Sequence, residues 1–259
     1  MTANCAAGVE DVLPEKNDSL RKVAHAGFRT GEKLKYKISW LFKGINVINV
    51  GFADLELEGI VFLKGRYIYK AGFSARSAPF FDVFFKIRDY ATSYIDREGL
   101  FSWGMKMDIN EGKSHYVRES YFDQVNNCGI HTVSYRQVPK KAKILPYMQD
   151  FMSAVYFARS LDMEKLGCVT FNIDNDGFAY EATLKFICKE KLDTAAGKFY
   201  ASKLDLSWHK AGRKKAPGKE SHFLWISADK YRYPLQVESI GEIGKFVTSL
   251  IGIEGQAKK

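Results

Sequence analysis

Leu34-Lys35-Tyr36-Lys37-Ile38-Ser39-Trp40 alternates without a break: Leu34, Tyr36, Ile38 and Trp40 fall on one side, Lys35, Lys37 and Ser39 on the other. A period of two is the mark of a β-strand with one face buried and one face wet. The same signal recurs along the chain. Ala53, Leu55 and Leu57 oppose Asp54, Glu56 and Glu58, and Tyr67, Tyr69, Ala71, Phe73 and Ala75 share a face. Phe101, Trp103, Met105, Met107 and Ile109 follow, then Tyr180, Ala182, Leu184, Phe186 and Cys188, then Leu204, Leu206 and Trp208, and last Leu224 and Ile226. Turn pairs separate these runs, among them Lys64-Gly65, Glu98-Gly99, Glu111-Gly112, Asn126-Asn127, Asp176-Gly177, Ala196-Gly197 and Pro217-Gly218. About eleven or twelve strands are expected on this basis.

One segment breaks the pattern. Tyr147, Phe151, Ala154, Val155, Ala158 and Leu161 recur at helical spacing, so a helix is expected over Pro146–Leu161. The fold class is therefore all-β with one main helix: a curved antiparallel sheet or half-open β-barrel, since a flat sheet of this size would leave long edges. The helix would cover one opening. Residues 1–27 show no sustained periodicity and read as a mobile leader, leaving 28–259 as a single β domain.

Composition narrows the function classes. With 46% hydrophobic residues and 37 aromatics in 259 residues, the chain can bury a real core and is not disordered. No apolar stretch approaches the about 20 residues of a membrane-spanning helix. Met1–Gly8 is short and lacks both a basic flank and a long apolar core. Either the protein is cytoplasmic, or an export signal lies outside the sequence shown. The net charge is +9; residues 1–20 carry −3, leaving +12 on residues 21–259. Such a surface attracts polyanions: acidic glycans, anionic lipid head groups or nucleic acid. Nucleic acid has only charge in its favour, because the aromatics sit on strand faces expected inside and no recognition helix or stacking motif occurs.

Cys5, Cys128, Cys168 and Cys188 form no C-x-x-C pair, so neither a zinc site nor another metal centre is expected, and no cofactor is called for. Cys168 and Cys188 lie in apolar strand-like runs and are expected as buried free thiols. Asp174, Asp176 and Gly177 echo part of a calcium loop. Lys185 stands where its terminal glutamate would be, and a plain turn is the better reading. His131, His209 and His222 are isolated.

Four groups could carry function. Asp150, Ser153, Tyr156 and Arg159 share a helix side and read either as a ligand-facing edge or as a cap with structural ion pairs. Ser227 and Asp229 read as a turn, with no nucleophile elbow around the serine. Lys210, Arg213, Lys214, Lys215 and Lys219 make a basic hairpin tip able to grip phosphates or uronates, and Lys140, Lys141 and Lys143 form a second basic cluster before the helix. His115, Tyr116 and Arg118 could serve as base and charge neutraliser in a lyase acting on acidic glycans. His115 and Tyr116, however, point to opposite faces of a strand.

The order of several segments resembles a known family. Phe28-Arg29-Thr30-Gly31-Glu32-Lys33-Leu34-Lys35-Tyr36 with Ile38-Ser39-Trp40, Gly44 and Gly51 is similar to the opening of the bacterial domain-of-unknown-function 3108 family. Gln149-Asp150-Phe151-Met152-Ser153-Ala154 with Tyr156 and Arg159 resembles its central helix. Thr194-Ala195-Ala196-Gly197-Lys198-Phe199, Trp225-Ile226-Ser227-Ala228-Asp229 with Arg232 and Pro234, and Ile240-Gly241-Glu242-Ile243-Gly244 complete the match, which runs from about Phe28 to Leu250. The resemblance implies an exported, envelope-associated protein with an antiparallel β fold, periplasmic or attached to the outer membrane. It supplies no catalytic residues.

The leading expectation is a non-catalytic binding protein for an amphipathic or acidic envelope component, such as a lipid, lipoprotein or glycan. Trp40, Tyr69, Trp103 and Tyr156 would line a hollow, with Arg159, Lys210, Arg213, Lys214 and Lys215 at its mouth. The alternatives are a polysaccharide lyase or hydrolase, and a scaffold for envelope assembly with a protein partner.

Overall fold

The computed structural model describes residue 14 and residues 19–24, 27–42, 46–213, 221–242 and 244–255. Its N-terminal half contributes strands β1 (Lys33–Phe42), β2 (Asn46–Leu63), β3 (Arg66–Ser77), β4 (Arg88–Asp96), β5 (Ser102–Glu111), β6 (Ser114–Asp123), β7 (Cys128–Val133) and β8 (Lys140–Lys143). The C-terminal half adds β9 (Cys168–Asn175), β10 (Phe178–Thr194), β11 (Gly197–Lys210), β12 (Ser221–Ser227), β13 (Pro234–Gly241) and β14 (Gly244–Glu254). Three helices interrupt them: α1 (Pro79–Asp82), α2 (Phe151–Ser160) and α3 (Met163–Leu166).

All fourteen strands form one antiparallel sheet, in the order β8-β7-β6-β5-β4-β3-β2-β1-β14-β13-β12-β11-β10-β9. Each half is a hairpin meander, and the two halves join where β1 pairs with β14. The expected class holds, with more strands than the alternation suggested. One reason is β8, Lys-Lys-Ala-Lys, which has no apolar alternation. The basic cluster expected simply to precede the helix is a four-residue edge strand whose lysines guard it against pairing with another chain.

The sheet curls but its edge strands do not pair. A strap formed by residues 144–150 spans the gap between them. On one side Ile144 N donates to Asn127 O (3.0 Å) and Ser102 N to Met148 O (3.0 Å). On the other side Gln149 N donates to Asn172 O (2.9 Å) and Asp174 N to Gln149 O (2.8 Å), a short parallel bridge to β9. Gln124 seals the strap by donating to the carbonyls of Ser102 (2.6 Å) and Met148 (3.0 Å) and accepting from Met148 N (3.1 Å).

The strap corrects the expected helix start. Helical spacing beginning at Pro146 is overruled because residues 146–149 spend their backbone groups on the two sheet edges. α2 starts only at Phe151, where Asp150 caps it. Asp150 Oδ1 accepts from Met152 N and Ser153 N (both 2.8 Å), and Ser153 Oγ accepts from Asp150 N (2.9 Å), a reciprocal capping box.

Strand directions define two rims. The lower rim holds the start of β1 and the end of β14, and the upper rim holds the end of β1 and the start of β14. α2 crosses the interior near the lower rim. Its N-terminus is fixed to the lower ends of β4 and β5, where Ser93 Oγ and Ser102 Oγ both donate to Asp150 Oδ2 (2.6 Å each). Burial pushes the Asp150 carboxyl up, against the pull of these hydrogen bonds. At the C-terminal end Arg159, with no exposed surface, holds Glu32 through two contacts (2.6 and 3.1 Å) and donates to the carbonyls of Arg232 (3.1 Å) and Tyr231 (3.0 Å).

Below α2, the described part of residues 19–24 is packed. Arg21 lies over the rings of Phe157 (4.3 Å) and Tyr147 (4.7 Å) and donates to Gly99 O (2.9 Å), while Val23 N donates to Glu98 O (2.9 Å). The main core gathers around α2 from both halves, including Leu34, Leu55, Leu57, Ile95, Leu204, Leu235 and Leu250. Cys128, Cys168 and Cys188 are free thiols. Cys168 is exposed on the outer face of edge strand β9 rather than buried, and Cys188 is half-buried.

Candidate ligand-binding cavity

Above α2 the interior is hollow. A cavity of about 470 Å³ lies between β5 and β6 on one side and β9 to β12 on the other. α2 forms its floor through Phe151, Ala154, Val155 and Ala158. The walls are Met105, Met107, Phe171, Ala182, Leu184, Leu206, Trp208 and Leu224. The volume falls in the range of about 300–1,000 Å³ common for small-ligand sites. The lining follows from alternation: every second residue of these strands faces inward, and here those side chains do not reach across to one another as they do around Leu34 and Leu57.

Polar groups cluster on one lip. Arg118 of β6 forms an ion pair with Asp176 of the β9–β10 turn and lies 3.5 Å from the hydroxyl of Tyr116. The turn residues Asp176 (φ 56°) and Gly177 (φ 72°) are both left-handed, the geometry of the tightest hairpin turns. This is the plain turn expected in place of a calcium loop. Beside it Asp174 lines the cavity; burial pushes its carboxyl up to about 7. His131 Nε2, buried and unpartnered among the described residues, is 3.8 Å from Asp174, while its Nδ1 meets Ser120 Oγ at 2.9 Å. Burial, with nearby Lys140 adding to it, lowers His131 to about 4. Lys140 and Lys210 both approach the Phe178 ring, each 3.9 Å from its centroid. Among the described residues no three His, Cys, Asp or Glu side chains converge to share a metal ion.

A second cavity of about 360 Å³ lies beside β14, β1, β2 and β3. It is lined by Ile38, Trp40, Val50, Ala75, Phe81 and Phe246, with Arg76 at its edge. Trp40 stacks on Phe246 (6.1 Å, 14°).

The residues expected at a ligand site are distributed unevenly. Trp40 lines the second cavity, and Lys210 pairs across the sheet with Tyr180, which lines the first. Tyr69 is half-buried, edge-on to Phe28 (6.1 Å). Trp103 is packed with Phe101, Ile68 and Tyr121, donates to Asp96 (3.1 Å) and lies under Arg66 (4.3 Å). Tyr156 is 1% exposed, its hydroxyl unpartnered among the described residues and its pKa raised by burial. Arg159 is consumed by Glu32 and two carbonyls. Arg213 is exposed, while Lys214, Lys215 and Lys219 lie outside the described residues.

Of the lyase candidates, Tyr116 and Arg118 meet, but His115 is on the opposite face, exposed and hydrogen-bonded to Asn110 (2.9 Å). Ser227 Oγ contacts Asp229 (2.9 Å) and accepts from Tyr233 N (2.8 Å), and Asp229 accepts from Tyr231 N and Arg232 N, which is turn chemistry. Sequence reading missed Met105, Met107, Leu206 and Trp208 as cavity walls and Val155 as its floor. Strand alternation, and for Val155 helical spacing, marked them as inward-facing but not as facing empty space.

The fold and the interior define a β-barrel-like protein with a ligand-sized space above a buried helix. The chain belongs to the DUF3108 family, described as proteins of unknown function, whose model matches residues 35–251. No curated protein matches it. Among solved structures it is similar to a β-barrel-like DUF1849 protein from Brucella abortus, with a TM-score of 0.59 and 8% identity, covering 91% of this chain and all of that one. More distant likenesses are a candidate exported protein with a YmcC-like fold from Bacteroides fragilis (TM-score 0.38, 8% identity, 91% and 100% covered) and a candidate lipoprotein from Parabacteroides distasonis (TM-score 0.37, 10% identity, 90% and 99% covered).

Proposed function

We propose that this chain is a non-catalytic binding protein for an amphipathic molecule of the cell envelope, taking a lipid-like apolar chain into the cavity above α2 and leaving its polar head at the Arg118 lip. The observation that carries the reading is the combination of a hollow apolar interior with a single polar edge. Filling a preformed apolar space removes hydrocarbon from water at about 25 cal/mol per Å². The head group would meet Arg118, Tyr116 and the lysines around Phe178. Below about pH 7 Asp174 carries its proton and does not repel an anion there. The envelope setting is carried over from the family resemblance.

Binding of a fluorescent fatty acid to the purified chain tests this. Parent protein should bind one equivalent saturably, and Ala154→Trp, which places an indole into the cavity floor, should bind at least about tenfold more weakly while still folding cooperatively. Equal affinity in the two proteins would remove the cavity from consideration.

A further inference from the structure

The connections at the two rims differ. Of the eighteen exposed large apolar side chains among the described residues, twelve sit at or next to the upper rim. The densest group is Phe80 (69% exposed), Val83 (83%), Phe84 (72%) and Phe85, within six residues, with Phe42 and Val47 on the adjoining β1–β2 hairpin. The two segments are tied together: Ala78 N donates to Val50 O (2.9 Å).

The α1 segment is braced, not loosely collapsed. Asp82 accepts from Ser77 Oγ and from both Nη atoms of Arg88 (3.1 and 2.5 Å), and Ser77 Oγ accepts from Ile87 N (2.8 Å). Phe85 N and Phe84 N donate to Phe81 O (2.9 and 3.0 Å). Phe81 alone of the four phenylalanines turns inward to line the second cavity. The polar clasp thus holds Phe80, Phe84 and Phe85 outward, where they forgo burial.

Exposed apolar groups of this density mark a docking surface. A braced cluster of exposed aromatic side chains set among cations suits the interfacial zone of an anionic bilayer. Among the described residues, the connections at this rim and their bordering strand residues carry seven cations, Lys86, Arg88, Lys113, Arg136, Lys140, Lys210 and Arg213, against four carboxylates, of which Asp82 is tied to Arg88 and Asp176 to Arg118. Cations around an inserted apolar tip add attraction to anionic lipid of about 1 kcal/mol each near the surface.

From these features we infer that the upper rim docks on an anionic lipid bilayer, with Phe80, Val83, Phe84, Phe85, Phe42 and Val47 entering the interface. This placement turns both cavities toward the membrane. The inference stands on the rim alone and is independent of whether the cavity holds a ligand.

Flotation with vesicles of mixed phosphatidylethanolamine and phosphatidylglycerol tests it. The full chain should float with these vesicles and less with pure phosphatidylcholine. Phe80→Ser/Phe84→Ser should weaken partitioning at least about tenfold, and Lys86→Glu should weaken it more modestly. Phe62→Ser/Tyr67→Ser, which removes exposed rings at the lower rim, should leave it unchanged; circular dichroism confirms that each variant folds. A parent protein that stays at the bottom of the gradient would overturn the inference, as would equal loss from the two rims. A Phe80-dependent dimer seen by light scattering without vesicles would assign the rim to a second copy instead.

Discussion

The two ends of this sheet are built from the same strands and filled in different ways. At the lower rim α2 crosses the interior and the two charged side chains at its ends are satisfied internally: Asp150 by four donors, Arg159 by Glu32 and two carbonyls. At the upper rim no element among the described residues crosses. The inward side chains face two cavities, and apolar side chains remain on the outside. A curled sheet this wide cannot fill its own centre with side chains, as smaller barrels do. One helix closes one half, and the other half is hollow. Stability and binding are therefore expected to separate along the barrel axis, and substitutions can test that separation.

The largest effect belongs to the lower half. Arg159→Met leaves Glu32 buried without its partner and should cost about 3–5 kcal/mol in urea unfolding. Glu32→Gln/Arg159→Met should recover a large part of that loss, because no uncompensated charge remains. Asp150→Ala removes the cap and orphans two buried serine hydroxyls, for an expected loss of about 2–3 kcal/mol. If either single variant unfolded like the parent, α2 would not be the keystone of the lower half.

The lip of the cavity gives a pH signature instead. In the folded chain Asp174 keeps its proton to about pH 7, whereas its ordinary value is 3.8, so on its account stability falls as pH rises from about 4 to 7. His131, lowered from 6.5 to about 4, acts in the opposite sense: the unfolded chain takes up the proton first, so stability is lost as pH falls from 6.5 to 4. In the parent the two largely cancel. Asp174→Asn removes the first, leaving a stability that climbs between pH 4 and 6.5 and gains relative to the parent as pH approaches 7, by on the order of 2–4 kcal/mol. Parallel pH profiles for parent and variant would contradict this assignment. Smallest of all, Phe80→Ser/Phe84→Ser should shift stability by no more than about 0.5 kcal/mol, as expected for exposed side chains that support no core.

Much of this contrast was out of reach of local pattern. Alternation from Leu34 to Trp40, and in the runs after it, revealed the strands and their inward faces. It could not tell Leu57, which is packed to zero exposure, from Met107, which borders a void, because that depends on what stands opposite across the barrel. The polar stripe on α2 was visible, but Arg159 finds its partner 127 residues away, which no spacing along the chain reports. Pro146 suggested a helix start, yet the backbone of residues 146–149 was claimed by strands from both halves. The PFFDVFF segment carried its own signal, six apolar residues around one aspartate, and alternation did not account for it.

Ligand binding above α2 requires the upper half to be an enterable hollow. Crystals of the protein soaked with a bromine-tipped fatty acid would show this through the anomalous signal of the halogen. A bromine peak is expected between Met107, Val155 and Leu206, with the carboxylate end toward Arg118. A cavity collapsed around those side chains, or bromine found only outside the sheet, would contradict it.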